Sequence, residues 1–74
     1  MTNQEIEARI AKDLEGYVDH VFYHTLNSDI RVATWCIESL DRAKKAAKFD
    51  LGSDIVNVLV KQATDKARAK YYKS

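Results

Sequence analysis

Proline is missing from the 74 residues, and glycine occurs only at positions 16 and 52. With no residue that removes a backbone donor and few that loosen the backbone, little forces a helix to stop. Cysteine occurs once, at Cys36, which excludes an internal disulfide framework and a cysteine-based structural zinc site. A reducing, cytoplasmic setting is the expectation that goes with a single thiol. No stretch approaches the roughly 18 apolar residues of a membrane span, so no membrane partner is expected. The first residues lack the basic segment and apolar run of a secretory leader. Phosphate loops rich in glycine are excluded as well, because Gly16 and Gly52 stand alone.

Hydrophobic residues make up 46% and charged residues 31%, which places the chain among folded rather than disordered sequences. Seventy-four residues fit one helical domain spanning 1–74, with a core too small to be generous. Small scaffolds without disulfides or metals commonly gain buried surface by association, so a homodimer or higher oligomer is expected. A catalytic cleft also needs walls, which so small a core hardly supplies. The expectation is a binding protein, not an enzyme, with no cofactor.

The formal net charge of +1 hides a division. Residues 1–41 carry eight acids and three bases, a net of −5, while residues 42–74 carry nine bases and three acids, a net of +6. The acids of the first half can neutralise the lysines of the second, within one chain or between chains.

Apolar periodicity predicts an all-α fold, a compact bundle of three helices over about 3–25, 29–48 and 53–72. Thr2 and Glu5 have capping-box spacing, and Ile6, Ile10, Leu14, Tyr17, Val18 and Val21 then share one helical face. After the Asn27–Ser28–Asp29 turn, with Ser28 as the expected cap, Val32, Ala33, Cys36, Ile37, Leu40, Ala43 and Ala47 form a second stripe. Lys44, Lys45 and Lys48 suit the end of that helix, where unpaired carbonyls are partially negative. Ser53 is the expected cap of the third helix, whose stripe is Val56, Val60, Ala63, Ala67 and Tyr71. The competing reading is α+β, with a hairpin over about 17–37, where β-branched and aromatic residues gather around a short turn. Alternation there separates no clean apolar face, so the helical phase is preferred.

His20 and His24, four residues apart, are the weak candidates for a metal grip. No third ligand stands one turn away, since those positions are Gly16 and Ser28. A solvated His20 and a His24 at the core edge beside Tyr17 explain the pair without a metal. No serine or threonine has a nucleophile-elbow setting, and Cys36 on an alanine-rich face reads as packing.

Trp35 is more informative. It falls about 120° from the centre of the second apolar stripe, and Ser39, Arg42, Ala46 and Phe49 continue from it along the helix. Tryptophan and arginine are over-represented where binding energy concentrates. These five residues are the candidate interface, for another protein or for a second copy. Burial of Trp35 beneath the first helix is the structural alternative. A competing functional reading takes Lys44, Lys45, Lys48, Lys66, Lys70 and Lys73, with Tyr71 and Tyr72 to stack on bases, as a site for nucleic acid or another phosphorylated ligand. Its pI of about 7.9 is low for a dedicated nucleic-acid binder. In size and motif-free helicity the chain is like small accessory and inhibitor proteins of phages and mobile elements, an analogy of style alone.

Overall fold

A computed structural model describes residues 2–72. Three helices follow one another: α1 (Asn3–Leu26), α2 (Ile30–Leu51) and α3 (Ser53–Tyr71). The described residues contain no strand, so the hairpin over 17–37 does not form. Val21–Leu26 completes α1, and Ile30–Ile37 opens α2.

The helix ends follow from local hydrogen bonding. Thr2 caps α1, its Oγ1 accepting from the Glu5 N–H at 3.2 Å. Asp29, not Ser28, caps α2 through its Oδ1, which accepts from the Val32 N–H at 3.3 Å. Ser28 instead takes the tight turn, with φ of 59°. α2 runs three residues past Lys48, because Leu51 returns to the phase of the buried face and packs into the core. That leaves Gly52 as the whole connection to α3. Its N–H donates to the Lys48 carbonyl at 3.0 Å, and its carbonyl accepts from the Val56 N–H at 3.2 Å. Ser53 is therefore the first residue of α3, which has no side-chain cap.

α1 packs against both other helices, while α2 and α3 touch one another much less. One core cluster joins Leu14 of α1, Ala47 of α2 and Val56 of α3, with Ile10, Leu40, Leu51, Leu59 and Val60 around it. A second joins Val18 to Ala63 and Ala67, bordered by Phe22, Leu40 and Tyr71. Four of the seven buried apolar residues found in the described chain are alanines, and only Leu14 and Val56 are large and fully enclosed. The core is thin. Ile37, placed by its phase on the inner stripe, is 50% exposed, because the flank of α2 on which it sits meets little of α3. The radius of gyration, 12.7 Å, exceeds the roughly 11 Å expected of a compact chain of this length.

Candidate functional site

Part of the charge division is met inside the chain, across the α1–α3 interface. Lys66 Nζ approaches Glu15 at 3.4 Å, and one turn on, Lys70 Nζ donates to Asp19 Oδ1 at 2.9 Å. Asp19 also accepts from the Tyr71 hydroxyl at 3.0 Å, and the Tyr71 ring stacks on Phe22 with the ring planes 6° apart. A shallow groove of about 330 Å³ runs between these helices, with these two ion pairs and Lys12 along it and Gly16, Ala63 and Ala67 as its floor.

The Lys70 hydrogen bond, then the Tyr71 hydrogen bond, hold the Asp19 carboxyl below its usual range despite some desolvation that works the other way. The same hydrogen bond to Asp19 raises the Lys70 ammonium above its usual value. A depressed carboxylate stabilises the fold above its unfolded pKa, and that contribution is lost as pH falls through the folded value. A raised ammonium stabilises below its unfolded pKa and loses the effect as pH rises through the folded value. The clasp therefore works between about pH 4 and about pH 10, the unfolded values of the two groups. Asp19→Asn is expected to lower the melting temperature at pH 7, and the gap to the unmodified chain should narrow as pH falls below the unfolded carboxylate value of about 4 and Asp19 takes up its proton. Melting curves followed by circular dichroism over a series of pH values from 7 downward check this.

The basic residues of the second half meet different surroundings. Lys66, Lys70 and Tyr71 are engaged with α1, as above. Lys45 and Lys48 are exposed and Lys44 is half-buried on the last two turns of α2. Tyr72 is exposed and sits edge-on to Phe22, with the ring centres 5.8 Å apart. Lys73 lies outside the described residues.

His20 is exposed and His24 half-buried, their ring centres 6.3 Å apart. His24 packs edge-on against Tyr23 at 5.1 Å. Among the described residues no cluster of three histidine, cysteine or acidic side chains could hold a metal ion. Nor is any described helix long and apolar enough to cross a membrane.

The outer face of α2 stands apart from all of this. Trp35 is 60% exposed and Phe49 94% exposed, so Trp35 does not pack beneath α1. Arg42 and Ala46 are exposed between them, and Ser39 is half-buried, its Oγ accepting from Arg42 Nη2 at 3.3 Å. α2 presents these side chains because Leu40, Ala43, Ala47 and Leu51 commit its opposite face to the core. The stripe thus carries two large aromatics, a guanidinium and a small residue on one rigid helix. Sequence reasoning missed the aspartate–lysine–tyrosine clasp, whose partners are 51 and 52 residues apart.

Fold and surface together define a three-helix, all-α bundle with an unpartnered aromatic and cationic helix face. Comparison with known proteins finds no matching family model, no matching curated protein and no matching solved structure.

Proposed function

We propose that this chain is a non-catalytic protein–protein interaction module whose working surface is the outer face of α2. The observation that carries the reading is the exposure of Trp35 and Phe49 on a helix whose other face is already buried. Exposed aromatics with an arginine between them on one helix face are the residue types that dominate interfaces. Arg42 adds a charge that can steer a partner of opposite patch. As a small cytoplasmic accessory or inhibitor protein of the kind phages and mobile elements employ, it would act by occupying a surface on the protein it modulates.

The test is a comparison of protein capture by the immobilised chain and by its Trp35→Ala/Phe49→Ala variant from the same cell extract. The variant is expected to lose what the unmodified chain retains, while its far-ultraviolet circular dichroism stays unchanged. Equal capture by both proteins contradicts the assignment of the surface, and loss of helicity in the variant would return Trp35 to a structural role.

A further inference from the structure

Resting on the association reading above, we propose that the outer face of α2 docks on the same face of a second copy of this chain, with the two α2 helices antiparallel. Six residues of α2, Arg31, Trp35, Glu38, Arg42, Lys45 and Phe49, are all exposed and follow one another at steps of four, three, four, three and four. That spacing keeps all six in one line along the helix, where a facing helix can meet each of them. It runs along the side of α2 opposite Leu40, Ala47 and Leu51, away from the core.

The order of charges along the seam selects the direction. In a parallel pair each position meets its own copy, so Arg31, Glu38, Arg42 and Lys45 would each face an identical charge. In an antiparallel pair with Glu38 opposite Arg42 of the second copy, every layer becomes complementary. Glu38 and Arg42 then pair twice by symmetry, Arg31 lies over the Phe49 ring, and Lys45 lies over the Trp35 indole. Sliding by seven residues sets Arg42 against Lys45 in one direction and Arg31 against Arg42 in the other, so the neighbouring registers repel.

These groups are free to pair. Among the described residues, neither ion pair of the chain involves Arg31, Glu38, Arg42 or Lys45, and Arg42 reaches only Ser39.

Light scattering on three proteins at equal concentration tests the proposal: the unmodified chain, Arg42→Glu, and Glu38→Arg/Arg42→Glu. The unmodified chain is expected to give twice its 8.5 kDa mass as concentration rises. Arg42→Glu sets glutamate against glutamate twice and should weaken association roughly 100-fold, tenfold for each symmetric pair. The double reversal restores both pairs and should recover the dimer. A monomeric mass for the unmodified chain at every concentration overturns the proposal, as does a double variant no better than the single one. If that monomer still captures protein in a Trp35-dependent way, only the second copy falls; if capture is also absent, the association reading falls with it.

Discussion

Leu14→Ala is expected to remove a large part of the stability of the fold, with its urea midpoint falling to about half or less. Leu14 is 1% exposed and meets both α2 and α3 through Ala47 and Val56. Truncating a buried leucine costs about 2–5 kcal/mol, from lost transfer energy and from the cavity left behind. A chain of this length holds roughly 4–11 kcal/mol in total. Among the described residues only Val56 is another large side chain so fully enclosed, so little nearby can collapse into the gap. Phe49→Ala is the matched control. It removes a larger side chain, yet Phe49 is 94% exposed in the single chain, and at concentrations low enough to keep the chain monomeric a surface change of this kind should move stability by no more than about 0.5 kcal/mol. Urea unfolding followed at the helical circular dichroism band measures both, and similar midpoints would contradict the assignment of core and surface.

Gly52→Ala should have the next largest cost, about 1–3 kcal/mol. Gly52 alone joins α2 to α3 and holds φ of 86° with ψ of 157°. Side chains with a Cβ essentially never adopt that combination, although the added Cβ would meet no atom within 4 Å. The cost is therefore conformational rather than steric crowding. Asparagine should not rescue it, because asparagine tolerates the left-handed helical region near ψ of about 47° and not this extended ψ. Gly16→Ala predicts the opposite sign. Gly16 lies within α1, where alanine is favoured by about 1 kcal/mol, and a Cβ there also meets nothing within 4 Å. Thermal melts of the two variants should move in opposite directions; a shared direction would contradict the backbone account.

The helices were legible in the sequence because one face of each must be apolar. Ile10, Leu14 and Val18 recur at helical spacing, as do Val56, Ala63 and Ala67, and all six are buried or half-buried. Thr2 was legible as a cap, since its hydroxyl has a single helix to serve. Ser28 and Asp29 were not separable, because both residue types cap helices and only the turn geometry decides which one aligns with the Val32 N–H. The end of α2 was hidden by its lysines. They mark a helix C-terminus electrostatically, but burial of Leu51 carries the helix one turn further. Ile37 kept its periodicity yet lost its burial, because periodicity reports a face and not how closely the neighbouring helix approaches.

Of the candidate sites, Trp35 was legible as an off-stripe residue from its angle alone, and its exposure follows from the commitment of Leu40 and Ala47 to the core. The basic half was legible as composition but not as pairing. Glu15 with Lys66, and Asp19 with Lys70, are each 51 residues apart, and no local spacing connects them. Their contacts join two acids of the negative half to two lysines of the positive half inside the chain.

The most direct test of association through α2 is the fluorescence of Trp35, the only tryptophan of the chain, followed over a concentration series from about 1 µM to about 1 mM, the range in which modest complexes form. Trp35 emission is expected to start at the long wavelength of a solvated indole and move to shorter wavelength as a second copy covers it. The shift should be absent in Arg42→Glu over the same range. Emission that stays at the solvated position throughout the series for the unmodified chain would contradict the account.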